Sequence, residues 1–208
     1  EYSLNNIGGF SHIHSWTMAG LSVMPTVGVL NTRRGPADGP TTGWTTGYRS
    51  RIFKESEKAS PGYYAVKLMN GSIYTELTST TRSGFFRFTF DEAQDAHILL
   101  DLDIPFENTA EISEAVFTKI SDKEITGYSK QKWSWNEYTV HFVIRFNKSI
   151  EGFGGWAGDK VTRDVKEFKA KGSSGAFADF TTSKGEVLLM QTAISLVSVD
   201  QARLNLET

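Results

Sequence analysis

The stretch SIYTELTSTTRSGFFRFTF, residues 72–90, alternates polar side chains with apolar or aromatic ones on both sides of Arg82-Ser83-Gly84. A period of two sends successive side chains to opposite faces of an extended backbone, so the pattern fits two strands around a turn. The same reading extends to YYAVKL (63–68), AHILLDLDI (96–104), EITGYSK (124–130), YTVHFVIRF (138–146), GAFADFTT (175–182) and VLLMQTAISLV (187–197). Turn chemistry separates these windows at MNGS (69–72), FNKS (146–149) and TSKGE (182–186). Asparagine-glycine in the first of these tolerates positive φ and marks a hairpin. Strands at this density predict an all-β chain, a large antiparallel β-sandwich.

A length of 208 residues suits one such domain and a substantial core without staples. The net charge of −2 and the pI near 6.1 give no basic field for a nucleic acid. Gln191, Thr192 and Ser195 interrupt the longest apolar run, so no membrane span is expected. The chain has no cysteine, which excludes disulfides and thiolate zinc sites. It carries no signal peptide and opens on Glu1-Tyr2, which reads as a processed or excised piece.

Helix is expected only at the end. The sandwich is assigned to residues 1–197. In 198–208, Ser198 or Asp200 would cap a short linker helix carrying Ala202, Leu204 and Leu206. DVKEFKAK (164–171) reads as a loop entering a strand. The glycine-rich segments 31–47 and EGFGGWAGDK (151–160) read as loose loops.

Chemistry concentrates in GGFSHIHSW (8–16). On a strand, His12 and His14 would share a face, with Trp16 two residues on. Such a pair can clip a metal, contact a substrate hydroxyl, or sit hydrogen-bonded within the sandwich. A metal would need a third ligand, and His97 and His141 lie in ordinary strand windows far along the chain. Trp44 and Trp156 lie in glycine-rich segments, and Trp133 alternates with Trp135 in KWSWNEY. An indole can stack on the C–H face of a sugar ring or fold back over the sandwich edge. The candidate substrate-binding residues are His12, His14, Trp16 and Trp156. Among carboxylate pairs, Glu55/Glu57, Asp91/Glu92 and Asp101/Asp103 lack a context that would bury one carboxyl, and no nucleophile-elbow pattern is present. No catalytic residue and no metal ligand is assigned.

At GFSHIHSWTMAGLSVMPTVG (9–28) the chain begins to resemble the N-terminal domain of family 92 glycoside hydrolases, the calcium-dependent exo-α-mannosidases. The resemblance continues at ESEKASPGYYAVKL (55–68) and ELTSTTRSGFFRFTF (76–90) and closes at ISLVSVDQARLNLE (194–207). Four phrases in the family's order make the match specific. The family's usual opening, close to VDPFIGT, is missing, so the chain is expected to start inside the domain. SWTMAG replaces the LSGTG common after the second histidine, and Lys54 stands about where many members have a histidine. These departures bear on linkage preference.

The resemblance implies a β-sandwich that packs on an (α/α)6 barrel holding the catalytic carboxylates and most of a calcium site. The sandwich would lend loop residues to a pocket for terminal α-mannosides of glycans, hydrolysed with inversion. This chain alone would be inactive, and its partners would be the glycan and the catalytic domain of the same parent. Family membership also implies a periplasmic or extracellular location. The alternatives are an independent carbohydrate-binding module and a purely structural sandwich.

Overall fold

The computed structural model describes residues 6–12, 20–35, 47–103, 111–133 and 136–208. Their strands form two antiparallel sheets around one core. The larger sheet has ten strands in the order β1 (Asn6–Ile7), β4 (Ser50–Ser60), β5 (Tyr63–Leu68), β6 (Ile73–Ser79), β7 (Ser83–Phe90), β16 (Val187–Ser195), β11 (Asn136–Phe146), β10 (Glu124–Trp133), β9 (Glu111–Ser121) and β14 (Glu167–Ala170). The smaller has six: β13 (Lys160–Arg163), β12 (Gly152–Ala157), β15 (Ser174–Thr182), β8 (Gln94–Asp101), β3 (Ser22–Val27) and β2 (Phe10–Ser11).

Alternation assigns the inner faces. Phe86, Phe88 and Phe90 of β7, Leu188 and Met190 of β16, and Phe142, Ile144 and Phe146 of β11 meet Ile98 and Leu100 of β8 and Phe180 of β15. The rings of Phe146 and Phe180 touch across the gap with centroids 5.1 Å apart. The hairpin expected at MNGS is present: a single 3-10 turn over Asn70–Ser72 joins β5 to β6, with Gly71 at φ 77° and Ser72 at φ 49°.

The outer face of the smaller sheet is also covered. Met24, Leu99, Phe177 and Trp156 point away from the larger sheet and are nonetheless buried. Residues 28–35 and Tyr48 are anchored there. Arg34 Nε donates to Asp101 Oδ2 at 3.0 Å, its Nη2 pairs with Asp103, and Tyr48 donates its hydroxyl hydrogen to Asp101 at 2.5 Å. Burial works against the Arg34 charge, but the two carboxylates reverse that and raise its pKa; burial pushes Asp103 up.

Two expectations are corrected here. Residues 151–160 are no loose loop: Gly152–Ala157 is strand β12, and Trp156 is 2% exposed within it. Its glycines make room for rings, because a Cβ on Gly155 would lie 2.2 Å from Phe168 and one on Gly154 2.6 Å from Phe177. The polar stretch 164–171 contains its own strand, β14, preceded by a turn at Asp164 with φ 57°. Segment 36–46 of the other expected loop lies outside the described residues.

The terminal helix forms as α1 (Val199–Glu207), with Ser198 Oγ accepting from the Gln201 N–H at 3.0 Å. Ala202 and Leu206 pack on Val143 and Ala193 of the larger sheet. Glu124 joins strand to helix, receiving Arg145 and Arg203 at 2.6 Å each.

Candidate functional site

His12 follows β2 at the end of the sandwich where β4–β5 and β6–β7 turn. Its main-chain N–H and its Nδ1 both point at the carbonyl oxygen of Leu21, at 2.9 and 3.0 Å. A carbonyl only accepts, so Nδ1 carries the hydrogen and Nε2 presents a lone pair. That lone pair receives the hydroxyl hydrogen of Thr192 on β16, a bond that crosses from one sheet to the other. The ring leans on Phe86, with centroids 5.4 Å apart at 42°. Burial lowers the His12 pKa to about 4 against the smaller opposing effect of the Leu21 hydrogen bond. At neutral pH the ring is therefore uncharged, and its Nε2, which accepts from Thr192, is an acceptor. This arrangement suits the recognition of a hydroxyl and does not suit general-acid work.

His12 forms part of the wall of a cavity of about 550 Å³. Four distant segments meet there: Ser11 and His12; Ser60 to Tyr64; the β6–β7 hairpin from Leu77 to Phe86; and Thr192 to Ile194. The wall is rich in hydroxyls, including Ser60, Thr78, Thr80, Ser83 and Thr192, with Arg82 as its cation. Tyr64 and Phe86 supply aromatic surface. Tyr64 donates to Glu57 at 2.8 Å, and burial together with that carboxylate pushes the phenol up, so it stays neutral. No carboxylate is among the described lining residues. Gly84 faces Thr192 across the β7–β16 ladder, where a Cβ would lie 3.1 Å from the threonine hydroxyl and 3.6 Å from His12 Nε2. Its missing side chain keeps the histidine wall open.

Of the other residues singled out by sequence, His14 and Trp16 lie outside the described residues, as do Trp44 and Trp135. Trp156 is on the outer face of the smaller sheet, against Gly175, and does not line the His12 cavity. A Cβ on Gly175 would lie 2.3 Å from its indole, so the ring packs directly on that glycine. Asp101 and Asp103 do come together, but under Arg34, which pairs with both. Glu57 pairs with Lys54, Asp91 with Lys67 and Glu92 with Lys184. Among the described residues no three histidine or carboxylate side chains converge as a metal site. Thr192, Tyr64, Phe86 and Gly84 were not foreseen. One signal for Thr192 was present: it occupies an inward position in the series Leu188, Met190, Thr192, Ile194, where every other member is apolar.

Known proteins share this fold. The chain matches the family model described as the glycosyl hydrolase family 92 N-terminal domain over residues 1–195. The family GH92 alpha-mannosidase of Bacteroides thetaiotaomicron superimposes with a TM-score of 0.89 at 31% identity, over 100% of this chain and 29% of that one. The GH92 family glycosyl hydrolase ccman5 gives 0.79 at 26% identity, over 98% and 28%. An inverting family GH92 mannosidase of Bacteroides thetaiotaomicron VPI-5482 gives 0.78 at 22% identity, over 99% and 26%, a likeness of fold alone. The chain thus spans less than a third of the length of these solved relatives. No curated protein sequence matches it.

Proposed function

The chain belongs to the N-terminal domain family of the family 92 glycosyl hydrolases, and from that premise we propose that it is the sugar-facing sandwich of an inverting exo-α-mannosidase. One observation carries the reading. The phrases through which the sequence resembles the family are scattered over 9–28, 55–68, 76–90 and 194–207, yet their residues meet around a single hydroxyl-lined cavity. A wall of hydroxyls with one guanidinium and an aromatic flank suits a polyol, and His12 would offer a guest hydroxyl its Nε2 lone pair in place of Thr192. His14 and Trp16, two and four residues farther on, complete the proposed pocket border. Trp156 is left to packing.

In this division of labour the sandwich binds and orients a terminal α-mannoside. The acid and base, which inversion places roughly 6.5–9.5 Å apart, come from a following (α/α)6 domain of the parent chain. Calcium is assigned in the same reading to that domain. Periplasmic or extracellular residence is part of the same proposal. Among the described residues no helix is long and apolar enough to cross a membrane.

The test compares this 208-residue chain with its full-length parent on an α-mannoside with calcium. Turnover is expected from the parent only, and a comparable rate from the isolated chain would overturn the division. A second reading has an observation in its favour: both ring nitrogens of His12 already have protein partners, as in a purely structural sandwich. His12→Ala in the parent separates the two. Pocket lining predicts a raised KM for the mannoside, whereas a structural role predicts lower stability with kcat and KM unchanged.

A further inference from the structure

His97 lies in β8 between Thr26 of β3 and Asp179 of β15, and is 6% exposed. Its Nδ1 is 2.6 Å from Asp179 Oδ1, and its Nε2 is 2.7 Å from the carbonyl oxygen of Gly28. A carbonyl oxygen only accepts, and so does an ionised carboxylate. Arg163 Nη1 donates to the second oxygen of Asp179 at 2.9 Å, so a cation already faces that carboxylate from its other side. Both ring nitrogens therefore need a hydrogen, a condition met by the imidazolium. Either neutral tautomer would turn a lone pair on an oxygen in a site with little water, which costs the full desolvation of that contact.

We propose that His97 is a proton-dependent clamp. Charged, it pins the turn at Gly28 and with it the start of the segment that covers the outer face of the smaller sheet; on losing its Nε2 proton it releases that turn. The proton leaves from Nε2 because Asp179 retains the one on Nδ1. The surroundings favour the cation. Asp179, Asp95 and Glu151 line the same cavity as His97, against the single guanidinium of Arg163. Glu151 is further engaged by Thr181, through its N–H at 3.2 Å and its hydroxyl at 2.7 Å. Burial of the ring opposes charging, but the hydrogen bonds to Asp179 and Gly28 outweigh it and raise the pKa above 6.5.

Release stays local for two reasons. Val29 at the turn is 94% exposed, but Val27 and Leu30 on either side of it pack against the core. Five residues on, Arg34 is paired with both Asp101 and Asp103 and keeps the rest of the segment in place. Because the folded ring is the better base, its contribution is complete below pH 6.5 and is lost as the pH rises through the folded midpoint.

Ring nitrogen NMR of the folded chain across pH tests this, with hydrogen exchange of the Gly28 amide, which is bonded to the Asp95 carbonyl at 2.8 Å. Expected are two protonated ring nitrogens at pH 6.5, a midpoint above it, and a step in Gly28 exchange at that midpoint beyond the intrinsic pH dependence. Each unit by which the midpoint exceeds 6.5 corresponds to roughly a tenfold change in the clamp equilibrium. Asp179→Asn should bring midpoint and step down together. A neutral ring at pH 6, or Gly28 exchange that ignores the titration, would overturn the proposal. Should Asp179→Asn fail to fold, the native titration still decides.

Discussion

The two sheets treat their outer faces in opposite ways. On the smaller sheet that face is covered: Met24, Leu99, Phe177 and Trp156 are buried, and the ionisable side chains His97 and Asp101 among them are partnered. On the β4–β7 part of the larger sheet the corresponding face carries Lys67, Glu76, Arg87 and Tyr63 at the surface, joined by exposed pairs such as Arg87 to Glu76 at 3.5 Å. The difference teaches that an ion pair takes its weight from its surroundings. Arg34 and Asp101 have lost most of their water, so each depends on the other; Arg87 can exchange Glu76 for solvent at little cost.

Matched substitutions on the two faces test this contrast. The largest effect is expected from Trp156→Ala, at about 3–5 kcal/mol for a vacated core site, whereas Tyr63→Ala on the open face should stay within about 1 kcal/mol. Urea unfolding of both variants gives the comparison, and equal losses would break it. Next comes Arg34→Met, which strands two buried carboxylates and should cost about 3 kcal/mol, against at most about 1 kcal/mol for Arg87→Met.

Acid should then separate His12 from His97. The His12 pKa is lowered to about 4, so between pH 6.5 and 4 the unfolded ring takes up a proton that the folded ring refuses. Stability should fall through that window on acidification by on the order of 2–3 kcal/mol, and His12→Gln should flatten this limb. His97 works with the opposite sign, losing its contribution as the pH rises. The smallest change is expected from Thr192→Val, which removes the donor to Nε2 while keeping the shape: about 1 kcal/mol in urea unfolding.

Where one face meets water, the strands were plain in the sequence: YYAVKL and SGFFRFTF alternate because one side of each packs on the core while the other, Ala65 apart, reaches solvent. The covered sheet was harder to read. In AHILLDLDI the run Ile98-Leu99-Leu100 breaks the alternation, since β8 is covered on both faces, and the cover is supplied by residues 28–35, far away in sequence. Gly152–Ala157 was obscured for a related reason. Its glycines signal a loop in isolation and become strand residues only once the rings of Phe168 and Phe177 are placed beside them. At the candidate site His12 stood out locally, but its partner Thr192 is 180 residues on. Only the fold brings the two together.

The sandwich is also fastened unequally along its length. At the end away from the cavity the Gly71 turn lies so close to β3 that a Cβ there would sit 2.1 Å from Val27, and Gln94 Nε2 donates to the Gly71 carbonyl at 3.3 Å. That spine is stiff, because backbone abuts side chain with no slack. At the cavity end, the bond from Thr192 to His12 ties sheet to sheet through two side chains. A guest hydroxyl that replaces Thr192 at Nε2 would cut this stitch as it binds. The pocket thus sits at the edge where side chains alone tie the sheets, opposite the edge where backbone abuts side chain.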